Sequence, residues 1–323
     1  MRVQPDARQS AEERSTLART TRSVLGSAGL TVSTGEAAHP AVIETAHVAQ
    51  HALRAGPLDP DRLDRLTSML SRARSGIAAT PPSGLPWPVE LAAPQPHLER
   101  SVARALKSVP DQAGNSDRPH GSTVVAWREA ETATIRGTTA LLAVTWPGAY
   151  AELSEILRQM VLLDGPSIDG FTDFTVHGAV FIRRDRLRPG PGGLPGTVRL
   201  AEALVHEGTH TRCNAASVAA HPFLRPVEDG GPLVATPLRL DPRPLTGLFQ
   251  QTVVLARSVL LYRRLLAGPT ADSGAAAAVR ARHDRLARSA ADAVRTMTGH
   301  RDALTDHGRA VLEDAAEVAE VHA

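Results

Sequence analysis

The sequence predicts a mostly helical α+β fold. Three observations predict it. Long stretches at both ends repeat apolar residues at helical spacing. Short runs rich in valine, threonine and isoleucine are confined to the middle of the chain. A His-Glu-Gly-Thr-His run lies on a helical pattern directly after the last of them. With 323 residues and 42% apolar content, the chain can bury a large core in one two-lobed domain or in two domains. Aromatic residues make up only 3%, so leucine, valine and alanine carry the packing.

Each element follows from local pattern. Ala11 to Ser27, Pro40 to Ala55 and Asp59 to Ser75 carry helical apolar spacing, with Asp59-Pro60 as a start signal and Gly76 as a stop. They define a helical N-terminal region, residues 1–78. Residues 79–98 hold Pro81, Pro82, Pro86, Pro88, Pro94 and Pro96, cannot continue a helix, and read as an extended connection. Residues 99–323 form the third region. Next along the chain come a short helix near His97 to Val109 and a polar loop from Asp111 to Gly121. Strands are expected at Thr123 to Trp127, Leu141 to Thr145 and Thr175 to Arg183, with a helix over Ala149 to Leu162. A Pro/Gly-rich loop, Arg188 to Gly196, leads into a helix over Leu200 to Asn214 with Thr197 as its N-cap. After His221-Pro222 a loop from Phe223 to Pro244 is expected, then helices Leu245 to Leu266, Ser273 to Met297 and His300 to His322.

The helix over Leu200 to Asn214 carries the chemistry. His206 and His210 are four residues apart, so both imidazoles leave one helical face about one turn apart and can reach a single divalent ion. Glu207 then sits beside the open side of the metal, where it can handle a proton of bound water. Val198, Ala201, Leu204 and Val205 supply the apolar stripe the helix needs. A strand, a loop and a histidine-bearing helix in this order form a zincin-like arrangement with a small sheet. The strand Val176 to Ile182 is read either as an edge that takes up an extended peptide or as an ordinary internal strand.

Two histidines leave the site short of at least one protein ligand. Ala216 stands where a third histidine of a metzincin pattern would fall, which removes that reading. Glu228 is at a distance a gluzincin-like site could use, in a loop-like setting. Gln250 can ligate through its amide oxygen or serve as a buried polar side chain. Arg257, set among Val253, Val254, Leu255, Val259, Leu260 and Leu261, needs an anion: a structural carboxylate or a bound carboxylate cofactor. Cys213 reads as a small buried hydrophobe with thiolate ligation as its alternative, and His177 and His221 as structural or exposed. Arg243 could position an acidic cofactor or its own loop.

Four landmarks together carry a family resemblance. They are the HEGTH helix, the run Asp241-Pro242-Arg243-Pro244-Leu245-Thr246-Gly247-Leu248, the helix from Phe249-Gln250-Gln251 to Arg257-Ser258-Val259, and the closing Leu304-Thr305-Asp306-His307-Gly308. From about Val176 onward the chain resembles the HEXXH-motif peptide-modification proteins, described as 2-oxoglutarate-dependent HExxH-type peptide β-hydroxylases. The resemblance implies that His206 and His210 hold iron(II), with Gln250 as a third ligand, and that 2-oxoglutarate and dioxygen serve to hydroxylate the β-carbon of a residue in a ribosomally made precursor peptide. It implies Arg257, and second Arg243, as anchors for the keto acid's far carboxylate. It also implies an oxidoreductase of natural product biosynthesis, partnered by the precursor peptide and by further peptide-maturation enzymes. The sequence departs from that pattern at Gln250, where histidine is expected.

Other classes are weighed against this. A zinc peptidase of gluzincin-like type would use Glu207 to activate a zinc-bound water, with the Val176 to Arg183 strand holding the peptide. A noncatalytic peptide-binding relative would keep the scaffold and lack stoichiometric metal. A net charge of +2 with no basic run argues against a nucleic-acid partner. No window of 18 apolar residues occurs, so no membrane partner is expected. The single cysteine excludes an internal disulfide, and with no signal-like apolar stretch after Met1 the expected location is the cytoplasm.

Overall fold

The computed structural model describes residues 1–79, 83–108, 121–219, 221–226, 232–237, 239–268 and 274–320. The chain falls into two compact units, each assembled from separated stretches. The first comprises Met1–Ser10, Thr134–Leu153 and Arg186–Ala323, and the second Ala11–Ala133 and Ser154–Asp185. The sequence boundaries at residues 78 and 98 both lie inside the second unit. The architecture is mostly helical with a small mixed sheet. No helix among the described residues is long and apolar enough to cross a membrane.

The second unit contains α1 (Ala7–Ser27, from Ala11 onward), α2 (Thr34–Ala37), α3 (Pro40–Arg54) and α4 (Pro60–Ala79). Their starts follow from capping chemistry. Ser33 and Glu36 form a reciprocal capping box on α2. The His39 Nδ1 accepts from the Ala41 amide at 3.2 Å, ahead of Pro40 at the first position of α3. Leu25, Val42, Ala49, Leu66 and Leu70 join these helices in one apolar cluster. α4 runs past Gly76 to Ala79, so that glycine does not end it.

The sheet also belongs to the second unit. β1 (Glu90–Ala92), β2 (Thr123–Val125), β3 (Gln159–Asp164), β4 (Gly170–Thr172) and β5 (Ala179–Arg183) surround the central β3, with α5 (Pro96–Lys107) between β1 and β2. β3 pairs in parallel with β1 and β5 and antiparallel with β2, and β4 pairs antiparallel with β5. β5 therefore has a neighbour on each side: Val180 lies opposite Met160 of β3 and Thr172 of β4. It is an internal strand, and the alternative in which it offers a free edge to a peptide is corrected. The stacking of Phe171 on Phe181 at 4.1 Å closes one face.

Two further expectations change. Leu141 to Thr145 is not a strand but the end of α6 (Glu129–Thr145), whose buried Ile135, Thr138, Thr139 and Leu142 repeat at helical spacing. Ala149 to Leu162 is not one helix. It divides into α7 (Pro147–Ile156) and β3, because Met160 to Leu163 are buried on both faces and lose the alternation that would mark a strand.

The first unit is a helical assembly of α8 (Gly196–Ala219), α9 (Leu245–Ala267), α10 (Ala276–Thr298) and α11 (Asp306–Ala319), in which α9 packs against the other three. α8 begins at Gly196, ahead of Thr197, and extends five residues beyond Asn214. The expected Phe223 to Pro244 loop contains a hairpin, β6 (Leu233–Thr236) with β7 (Arg239–Pro244), irregular between Val234 and Thr236. Thr305 caps α11 by accepting from the Gly308 amide, and the Thr305 amide donates to the Phe223 carbonyl at 3.0 Å. Glycine is required at 308, because a Cβ there would lie 2.0 Å from that carbonyl oxygen.

Candidate metal site on helix α8

α8 is buried on most of its circumference, including Leu200, Ala201 and Leu204, so its polar residues are held in fixed places. Glu202, His206, His210 and Asn214 fall at four-residue intervals along it and form one stripe. The two imidazoles meet edge-on, with ring centroids 5.1 Å apart and planes inclined by 60°. Both rings are half-buried. Burial pushes His206 down to about 3, helped by His210 and then by Arg186 and Arg282. Burial also lowers His210, against a raising contribution from Gln250. Both rings are therefore neutral at physiological pH, the form that ligates a metal.

α9 meets this stripe in antiparallel register. The Gln250 Nε2 donates to the Asn214 Oδ1 at 2.9 Å, which leaves its amide oxygen as the acceptor facing His210. The His210 Nδ1 lies 2.8 Å from that oxygen and donates to it. The proton is thus fixed on Nδ1 and the lone pair on Nε2. At the other end Glu202 is buried, accepts from the Tyr262 hydroxyl at 2.6 Å and pairs with Arg282. Gln250 and Tyr262 are twelve residues apart on α9, and Asn214 and Glu202 twelve apart on α8, so the histidines stand between two polar clamps. His206 itself has no hydrogen-bond partner among the described residues. Glu207 is buried on the adjoining face of α8.

The structure brings together His206, His210 and Gln250, and the Gln250 oxygen accepts from the His210 imidazole. Among the described residues no group of three or more His, Cys, Asp or Glu side chains could hold a metal ion. Glu228 lies outside the described residues. The donor pair fits a divalent cation, whereas a complete protein donor set is not assembled from the described side chains.

Arg257 stands apart from the stripe. Its Nη1 donates to the Glu152 Oε1 at 2.5 Å and its Nε to the Val3 carbonyl at 2.8 Å, while Nη2 reaches the Arg2 carbonyl at 3.2 Å. Glu152 also pairs with the Arg212 Nε at 3.4 Å. Of the two anions weighed for Arg257, the structural carboxylate is the one present, and the guanidinium is committed to it. Arg243 is half-buried at the end of β7, opposite Val234 and two residues before α9. Cys213 is fully buried, and burial pushes its thiol up to about 12, as for a packed hydrophobe and not a thiolate. His177 belongs to the second unit, and His221 is exposed.

Sequence reasoning missed Asn214 and Glu202. Both were accessible as the continuation of the histidine spacing by one turn in each direction. Their partners on α9 required tertiary contacts. Compared with known proteins, the chain matches no protein-family model and no curated protein.

Proposed function

We propose that this chain is a metal-dependent enzyme acting on a peptide, with His206 and His210 as protein ligands to one divalent cation. The observation that carries the metal assignment is the hydrogen bond from His210 Nδ1 to Gln250, which presents Nε2 of a neutral imidazole beside a second neutral imidazole. The reaction we propose is iron(II)/2-oxoglutarate-dependent β-hydroxylation of a residue in a ribosomally synthesised precursor peptide, which rests on the resemblance of the four landmarks. When bound, iron(II) with 2-oxoglutarate and dioxygen supplies a two-electron oxidation that inserts one oxygen atom into a C–H bond, while the keto acid loses carbon dioxide to become succinate.

The chain's own residues have separate tasks. Gln250 and Asn214 orient His210, and Glu202, Tyr262 and Arg282 fix the helix one turn before His206. Glu207, next to the first ligand, holds or moves a proton at the open side of the site. Arg257 pairs with Glu152, and Arg243 is the second residue that the resemblance implies for the keto acid's far carboxylate. The peptidase alternative relied on a free strand edge in β5, and that support is gone.

The test combines elemental analysis with a reaction. The purified protein is supplied with iron(II), 2-oxoglutarate and the short peptide encoded beside it. The expected product is heavier by about 16 mass units, the mass of one added oxygen, and succinate appears in equal amount. Peptide cleavage supported by zinc without the keto acid would replace this reading with the peptidase. Peptide binding by protein that takes up neither metal would replace it with a noncatalytic binder.

A further inference from the structure

Helices α3 and α4 line a groove that is unrelated to the histidine stripe and lies wholly within the second unit. A cavity of about 350 Å³ adjoins two smaller ones of about 230 and 90 Å³, and neighbouring cavities share lining residues. Along the groove α3 residue numbers fall as α4 numbers rise, as expected for an antiparallel helix pair. Ala41, Glu44, Val48 and His51 form the α3 seam, and Arg65, Met69, Arg72 and Gly76 form the α4 seam. Both seams step by three and four residues, the spacing at which a helix presents knobs and holes to another helix. From Arg62 to Gly76 the groove follows α4 for about 21 Å, roughly four turns at 1.5 Å per residue.

The charge of the groove is one-sided. Arg65 and Arg72 are exposed and have no ion pair among the described residues. Arg100 and Arg104 of α5 enter from the side, with side chains 47% and 40% exposed, and share the buried Glu44. Arg104 also pairs with Asp173 at 2.7 Å. With Arg62, which pairs with Asp59, five guanidinium groups thus meet three carboxylates, over a floor that includes the buried Leu66, Met69 and Ala73. No tryptophan, tyrosine or phenylalanine lines the groove among the described residues, so it offers no stacking platform for nucleic-acid bases.

We propose that the α3–α4 groove binds an acidic amphipathic helix of a peptide or protein partner. The partner's apolar side chains seat on Val48, Ala52 and Ala55, which are not fully buried, and its carboxylates pair with Arg65, Arg72, Arg100 and Arg104. Buried apolar contact supplies affinity, and the arginines supply steering and register. The inference does not depend on the metal site.

Fluorescence anisotropy of the full chain tests it. The probe is an end-blocked labelled peptide of about 18 residues, long enough for the groove, with leucine and glutamate on one helical face. A second peptide scrambles the same residues. The amphipathic peptide is expected to bind at least about tenfold tighter than the scramble and to weaken as salt rises from about 0.05 to 0.3 M. The double variant Arg65→Glu, Arg72→Glu should lose at least about tenfold in affinity with an unchanged circular dichroism spectrum, since both side chains are exposed. His206→Ala should bind unchanged, which separates this result from any failure of the metal site. Equal binding of both peptides, binding undiminished by the double variant, or no binding of either overturns the proposal. Displacement of the peptide by a short oligonucleotide overturns it as well, by assigning the arginines to phosphate.

Discussion

At the scale of single residues, the candidate site is a matter of where protons sit. The spacing of His206 and His210 was legible in the sequence because a helix converts four residues into one turn. The role of Gln250 was not, because an amide can ligate, donate or accept, and only its bond to Asn214 fixes which atom faces His210. Arg257 was legible as a buried cation that needed an anion, but Glu152 lies 105 positions earlier in the chain and no local pattern connects them. The clamp makes a prediction. Replacing Gln250 by leucine keeps the volume but removes the acceptor from His210 Nδ1, so the proton can move to Nε2 and compete with the metal. Affinity for a divalent ion, measured by titration calorimetry with cobalt(II), should fall about 10–100-fold, the usual cost of losing an outer-shell partner. The thermal midpoint should change little. Unchanged affinity would show that the Gln250 bond does not set the tautomer, and would remove the main support for the metal assignment.

At the scale of elements, helices were read from sequence more faithfully than strands, for a physical reason. An amphipathic helix prints its burial as a period of 3.6, and α3, α5 and α9 begin and end close to their expected positions. β3 is buried on both faces and prints only a short apolar run, Met160-Val161-Leu162-Leu163, which is compatible with either state. Its identity depends on β5 on one side and on β1 and β2 on the other. The hairpin β6–β7 was missed because proline and glycine punctuate that stretch as they would a loop. How α8 is entered is set by contact as well. A Cβ on Gly196 would stand 2.2 Å from the Leu187 carbonyl oxygen, so the chain turns into the helix against a backbone atom that cannot swing aside. Gly196→Ala should therefore destabilise the protein by about 1–3 kcal/mol, typical of overpacking a fixed site. Gly35→Ala meets nothing within 4 Å and serves as the tolerant control. Chemical denaturation of both variants decides, and equal midpoints would show that the Leu187 loop yields without cost.

At the scale of the whole molecule, the near balance of 36 basic against 34 acidic residues means that added charge from the 13 histidines is felt on acidification. Two of them are buried uncharged in the second unit. His97 donates through Nε2 to the Gln159 Oε1 at 2.9 Å, since the Gln159 Nε2 is spent on Glu90. Burial holds His97 down to about 4. His177 packs against Phe174, and burial, then His47, lowers it to about 4 as well. In the unfolded chain both take up a proton near 6.5. Between 6.5 and 4 the unfolded state thus binds more protons than the folded one, and stability rises with pH across that window. The stabilisation is complete above 6.5 and is lost as the pH falls toward 4, at a cost on the order of a few kcal/mol for each buried ring. Thermal midpoints taken from neutral pH down through this window should fall steadily. His97→Gln and His177→Asn should flatten the descent, because neither new side chain titrates, even if each lowers the midpoint at neutral pH. A midpoint independent of pH across the window would mean that both rings reach solvent or find an anion on protonation, and the buried neutral state assigned to them would have to be abandoned.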